Sequence, residues 1–455
     1  MGKGWIVRAA ALGVLTASSA PAQPPVVVLP LETQARRFVE LLFKGEVEAL
    51  GPLMDDAMRA AMSPDRTRAL LELLAAQAGD WRGIEATRQA EAGGYQMVFV
   101  TCAFEKSTLD ARVVFDGEGL VTGLFFQPTG PQPEPVDPPY ADRSRFVEEP
   151  IEVVSGEYRL PGTLTLPVEV ERPPVGVLVH GSGPNDRDET IGPNKVFRDL
   201  AWGLAMRGVA TLRYEKRTRV YGGRLPAETL THREEVVEDA LAAVSLAAAD
   251  ARLDVERLVL VGHSLGGTLG PLIALEAPAL DGVVLMAGAN RPLLVLMDEQ
   301  IEHLYLQDGK IDEAEKRALE AFRQAALELV DGGPARGLLT GLTRVYLEAL
   351  NAYRPLETIL QLKVPILVTQ GGRDYQVPAD KDFENWKGAL AGRRDATFRL
   401  YPELDHLFMP GEGPSYPTDY MKPRNVDERF IEDLAAWMLA LGRGEAAAGS
   451  DGGDG

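Results

Sequence analysis

Apolar residues first recur at helical spacing. Ala35, Phe38, Val39, Leu42 and Phe43 fall three and four apart, and Leu70, Leu71, Leu73 and Leu74 form a second stripe. This spacing predicts helices over residues 31 to about 77. The period then changes. Gly94–Val100, Leu109–Phe115 and Leu120–Phe126 are strand-like runs, the last two joined by the turn Asp116-Gly117-Glu118-Gly119. Helices followed by antiparallel strands predict a small α+β domain over 23–127.

Pro128, Pro131, Pro133, Pro135, Pro138 and Pro139 crowd the next segment, 128–141. Proline-rich chain prefers extended geometry, which marks this segment as a semi-rigid linker. From about 142 to 442 the pattern alternates. Strands are predicted at Val175–Val179, Val209–Leu212, Leu258–Val261, Gly282–Met286, Pro365–Thr369 and Thr397–Tyr401. Helices are predicted among them, at Val236–Ala249 and Phe430–Leu441, and Thr231-His232-Arg233-Glu234 resembles a capping box for the first. Continuous β-branched runs between helices predict a mostly parallel sheet covered on both faces. One interval is too long for a simple crossover. Leu319, Phe322, Ala326 and Leu329 keep helical spacing within it, so 291–362 reads as an inserted helical cap. The Gly-, Ala- and Asp-rich stretch 443–455 is expected to be a disordered tail.

Charge narrows the classes of partner. The chain carries 47 basic and 67 acidic side chains, a net charge of −20, and such a surface repels phosphate backbones. Nucleic acid is therefore not an expected partner. Cys102 is the sole cysteine, which rules out an intrachain disulfide and a thiolate-rich metal site. Lys3 and Arg8 precede the short apolar run Ala9 to Ala17, and Ala20-Pro21-Ala22 follows as an A-x-A cleavage pattern. Residues 1–22 thus read as a signal peptide, with a periplasmic or extracellular location if it is cleaved and a cytoplasmic one otherwise. No other stretch is long and apolar enough for an integral membrane segment.

Gly262-His263-Ser264-Leu265-Gly266 fits G-x-S-x-G, directly after one strand and before a helix. A serine on such a sharp turn is pushed out over the end of the sheet, and side chains two positions away would collide. A serine hydroxyl needs a base. Five histidines are available: His180, His232, His263, His303 and His406. His263 adjoins the serine on a turn that points it elsewhere, so core packing is its expected role. His232 and His303 lie in helical stretches and read as surface residues, whereas His406 follows the last strand at the carboxyl edge of the sheet. His406 is therefore the candidate base. Asp374, in Gly371-Gly372-Arg373-Asp374 after the preceding strand, is the candidate acid. Glu403 and Asp405 are nearer His406 along the chain, but neighbours on one loop seldom reach the far ring nitrogen. The backbone N–H groups of Ser182 and Leu265 are the candidate oxyanion donors. Such a donor is worth about 2.7–4 kcal/mol in the transition state. His180, at the head of His180-Gly181-Ser182-Gly183-Pro184, reads as a brace for that loop.

These motifs, together with Gly372-Arg373-Asp374-Tyr375-Gln376-Val377-Pro378 and Asp405-His406, resemble the α/β-hydrolases of the bacterial esterase and dienelactone-hydrolase-like branch. The resemblance covers about 150–442. It implies an α/β-hydrolase fold with a helical cap, a serine nucleophile acting on a small-molecule ester, and no metal or cofactor. Serine at 264 tilts away from dienelactone hydrolases, which have cysteine, and excludes haloalkane dehalogenases, which have aspartate. Peptide or amide cleavage, acyl transfer to an alcohol and a non-catalytic binding role are the alternatives. Residues 31–127 are similar to a cystatin-like or nuclear-transport-factor-like domain. Two roles are open for it: shielding the active-site entrance, or pairing two copies into a homodimer. Met297, Tyr305, Phe322, Tyr346 and Tyr353 of the cap are expected to be packing residues before acyl-pocket residues.

Overall fold

The computed structural model describes residues 29–442, except 93–94, 131–132, 227–228, 337–338 and 340–341. The expected signal peptide and C-terminal tail lie outside the described residues. Helices Leu31–Phe43, Asp56–Ala61 and Pro64–Ala78 come first among the described residues. Four antiparallel strands follow in the order β1 (Trp81–Ala92), β2 (Tyr95–Phe104), β3 (Thr108–Phe115) and β4 (Val121–Pro128). The stripe Phe38, Val39 and Leu42 packs on Val98, Val100, Val113 and Phe115, closing a small core of its own. The strand β1 was not legible in the pattern. It is an edge strand, largely exposed and broken by irregularities between Trp81 and Gly83 and between Ile84 and Ala86, so no clean alternation survives.

The second sheet has eight strands: β5 (Phe146–Ser155), β6 (Tyr158–Pro167), β7 (Pro174–Val179), β10 (Ala210–Tyr214), β11 (Asp254–His263), β12 (Gly282–Met286), β13 (Ile366–Gly371) and β14 (Ala396–Tyr401). A short ribbon, β8 (Thr190–Ile191) and β9 (Asn194–Lys195), lies between β7 and β10 in the chain. The order is β14-β13-β12-β11-β7-β10-β6-β5. The strands from β14 to β10 are parallel, and β6 and β5 are added antiparallel at the edge. This hairpin was also missed, because the Glu148, Glu149 and Glu152 side chains interrupt the apolar residues of β5.

Strand periodicity feeds two cores. Leu258 and Leu260 of β11 enter one, with Val236, Ala240 and Leu269; Val259 and Val261 enter the other, with Phe197, Leu200 and Phe430. Alternate side chains thus meet helices on opposite faces. Each buried Val or Leu contributes roughly 1.5–3 kcal/mol against exposure. His232 is a correction. It is buried beside Tyr353 rather than on the surface, because its helix lies under the segment that carries that tyrosine.

Between β12 and β13 stand helices Leu293–Tyr305, Glu313–Val330, Arg344–Ala352 and Pro355–Ile359. Phe322, Leu329, Leu339 and Leu347 give this cap a separate apolar cluster. The end of the proline-rich segment is fastened to the hydrolase domain. Val136 O accepts from Arg198 Nη2 at 2.6 Å and Asn425 Nδ2 at 2.9 Å, and the Tyr140 hydroxyl donates to Val426 O. Among the described residues no helix is long and apolar enough to cross a membrane.

Candidate active site

Strand β11 ends at His263, and helix Leu265–Glu276 begins two residues later, with Ser264 alone between them. Ser264 makes the turn at φ 52° and ψ −114°, a conformation that costs a residue with a side chain on the order of 1–3 kcal/mol. Its N–H donates to Met286 O at 2.8 Å, and its carbonyl accepts from Thr268 N at 2.8 Å. The flanking glycines are forced by close approach. A Cβ on Gly262 would lie 2.2 Å from Gly266 O, and one on Gly266 would lie 2.2 Å from Val179 O.

The loop after β14 carries His406, which is 3% exposed. Its Nδ1 lies 2.7 Å from Asp374 Oδ2, in the loop after β13. The Asp374 carboxylate is filled on every side. Oδ1 accepts from the N–H groups of Gln376 and Val377 at 2.8 and 2.9 Å, and Oδ2 also accepts from Gln370 Nε2 at 2.8 Å. A carboxylate only accepts, so the imidazole proton is assigned to Nδ1, which leaves the lone pair on Nε2. Ser264, Asp374 and His406 thus all stand at the carboxyl ends of parallel strands, β11, β13 and β14. Among the described residues no hydrogen bond joins Ser264 Oγ to His406, a contact that often tightens only around substrate. The rejected acids are engaged elsewhere. Asp405 holds its own loop through Leu407 N, Met409 N and Arg424, and exposed Glu403 faces Arg429.

The loop after β7 is clamped on both sides of one residue, Gly181. Gly181 N–H donates to Glu189 Oε1 at 2.6 Å, while Gly181 O accepts from Lys216 Nζ at 2.8 Å and Asn185 Nδ2 at 3.2 Å. A Cβ at Gly181 would sit 3.1 Å from Ser264 Cβ, so glycine lets this loop reach the serine. The next N–H, that of Ser182, and the N–H of Leu265 at the head of its helix have no protein acceptor among the described residues. His180 packs between Phe197 and Tyr214, and its burial pushes its pKa down to about 4, so the ring is neutral near pH 7.

Sequence reasoning missed Glu189, Lys216 and Gln370. Glu189 ends the run Asn185-Asp186-Arg187-Asp188-Glu189, which reads as a solvated loop. In the fold each member turns to a partner: Arg187 to Glu215, Asp188 to Arg213 and Lys195, Glu189 to Gly181 and His263. The available signal was its place, directly behind the glycine loop of β7. His263 was expected to be packing. It is buried, but both ring nitrogens are bonded, Nδ1 to Glu189 Oε2 and Nε2 to His406 O, each at 2.9 Å. His303 is half-buried and stacks on Tyr375.

Ser182, Ser264 and Leu265 open on a cavity of about 710 Å³ roofed by the cap. Met297, Tyr346 and Tyr353 line it, whereas Phe322 belongs to the cap's internal cluster. The Tyr346 hydroxyl donates to Glu235 Oε2 at 2.7 Å, and Glu235 in turn receives Lys216 Nζ at 2.6 Å. The wall is therefore apolar over most of its area, with an ionic corner.

Known proteins resemble both parts of the chain. Residues 35–124 match a domain described as a protein of unknown function, DUF3887. Over 414 residues the chain is 38% identical to esterase EstD of Thermotoga maritima, covering 90% of this chain and 95% of that protein. Among solved structures, the esterase domain of a Rhodothermus marinus protein aligns at a TM-score of 0.40 and 19% identity, over 65% of this chain and 99% of its own. A dienelactone hydrolase from Anabaena variabilis aligns at 0.39 and 17%, over 65% and 99%. Residues 177–420, more than half the chain, match the alpha/beta hydrolase family, and the chain belongs to that family.

Proposed function

We propose that this α/β-hydrolase cleaves small-molecule carboxylic esters through a serine acyl-enzyme. The observation that carries the reading is the Asp374–His406 pair at 2.7 Å, set beside a strained Ser264 that faces a cavity next to two uncommitted N–H groups. The 38% identity to an esterase over nearly the whole chain supports the same class of substrate.

His406 Nε2 takes the Ser264 hydroxyl proton as Oγ bonds to the ester carbonyl carbon. The carbonyl oxygen becomes an oxyanion, held by the N–H groups of Ser182 and Leu265. Asp374 stabilises the imidazolium and keeps the ring in one orientation. Collapse of the intermediate breaks the bond to the alkoxy oxygen, which leaves as the alcohol with the proton from Nε2. Water then attacks the acyl-enzyme by the same route, returning the proton to Oγ and releasing the acid. Hydrolysis of chromogenic esters by wild type and Ser264→Ala tests the assignment. Turnover in the variant is expected to collapse, and wild-type rates in folded Ser264→Ala would end it.

A further inference from the structure

A second carboxylate–imidazole pair is buried next to the first. His263 and Glu189 are each 1% exposed, and the His263 and His406 ring centroids are 4.9 Å apart. Both His263 nitrogens face oxygen: a carboxylate at Nδ1 and a backbone carbonyl at Nε2. The carbonyl can only accept. An ionised Glu189 can also only accept, and its other oxygen already takes the N–H of Gly181. A ring that donates from both nitrogens is an imidazolium.

Three loops meet at this pair. Glu189 holds the peptide that precedes the Ser182 N–H. His263 is joined covalently to Ser264, and its Nε2 holds the carbonyl of His406 itself. We propose that His263 is a positioning residue that is charged at pH 7, and that its ion pair with Glu189 holds the oxyanion loop and the base loop in register with the nucleophile. This rests on the esterase reading above, and it adds a residue pair that no part of the proposed proton path uses.

The neighbouring charges agree with the assignment. Burial alone would depress the His263 pKa, but the Glu189 carboxylate overrides it and raises the value. Burial likewise would raise Glu189, and the facing imidazolium holds it low instead. The remaining titratable or charged groups near the pair are His406 and Asp374 from the C-terminal loops, His180 and Asp186 from the loop after β7, and Lys216 on the far side of Gly181. His180 is neutral near pH 7, so it does not compete for Glu189.

Two measurements on the full chain test this. The first is nitrogen NMR of histidine-labelled wild type, with the His263 ring signals assigned through their connectivity to its own backbone. Both His263 ring nitrogens are expected to stay protonated at pH 7, above the ordinary imidazole value of about 6.5. A neutral tautomer with one bare nitrogen would overturn the proposal. The second compares Glu189→Gln and His263→Gln with wild type. A shift of the loops by an ångström would lower kcat on the order of a hundredfold. Fluorophosphonate labelling of Ser264 is expected to slow in step, KM to change little, and the alkaline limb of the kcat profile to move to lower pH in Glu189→Gln. Variants that lose only thermal stability and keep wild-type kcat and pH profile would overturn the proposal while an inactive Ser264→Ala leaves the esterase reading intact. Activity in Ser264→Ala would instead remove the reading beneath it. If the variants fail to fold, the wild-type NMR result decides.

Discussion

Two loops at one rim of the sheet carry the same chemical pair, and the pairs differ at one atom. In the loop after β14, His406 gives Nδ1 to Asp374 and leaves Nε2 without a bond among the described residues. Where the loop after β7 meets β11, His263 gives Nδ1 to Glu189 and Nε2 to a backbone carbonyl. A histidine with a spare nitrogen can exchange a proton during a reaction; one with both nitrogens committed can only hold its neighbours in place. Residue type alone does not decide which is the base. The partner of the second nitrogen does.

The largest effects should fall on the first pair and its nucleophile. Ser264→Ala or His406→Ala is expected to lower kcat by about 10⁴-fold or more, read from burst-free steady-state hydrolysis. Asp374→Asn should lower kcat by about 10⁴-fold through the wrong imidazole tautomer, with KM little changed. Equal losses in Asp374→Asn and Glu189→Gln would erase the distinction between the pairs. The second pair should show the smaller, roughly hundredfold loss of misplaced loops.

Stability separates them further. The lowered pKa of Glu189 means its contribution is present above the unfolded carboxylate value and lost as pH falls through the folded one. The raised pKa of His263 means the opposite: full below the unfolded imidazole value, lost as pH rises through the folded one. The difference in urea midpoint between wild type and Glu189→Gln should therefore be widest between those limits and shrink at both ends. The smallest effect belongs to Gln370→Leu. It removes one of four hydrogen bonds to Asp374, and a few-fold fall in kcat is expected, on the scale of about 1 kcal/mol.

The parallel strands were legible because both faces are buried, so β7 and β12 read as unbroken apolar runs and β13 opens on one, Ile366-Leu367-Val368. Of the elements that escaped, β1 and β5 are edge strands whose alternation is broken by irregularities or glutamates, and β6, paired between β10 and β5, is interrupted by Pro161 and Gly162. At the proposed site, the placement of Ser264, Asp374 and His406 on loops at one edge of the sheet was legible because the chain order of strands fixes where those loops emerge. Glu189 and Lys216 were not. A charged residue in a loop has no period, and what turned these inward is Gly181, whose N–H and C=O both needed partners. His232 escaped for a related reason: its burial comes from a tyrosine over a hundred residues away along the chain.

The cap's private apolar cluster gives the molecule a modular roof. Its helices leave the sheet after β12 and return before β13, so the nucleophile turn is complete before the insertion starts, and the segments bearing Asp374 and His406 follow it. On the esterase reading, exchanging that roof as a cassette would replace the Met297, Tyr346 and Tyr353 wall of the cavity, and the new roof would have to supply a partner for Glu235 in place of Tyr346.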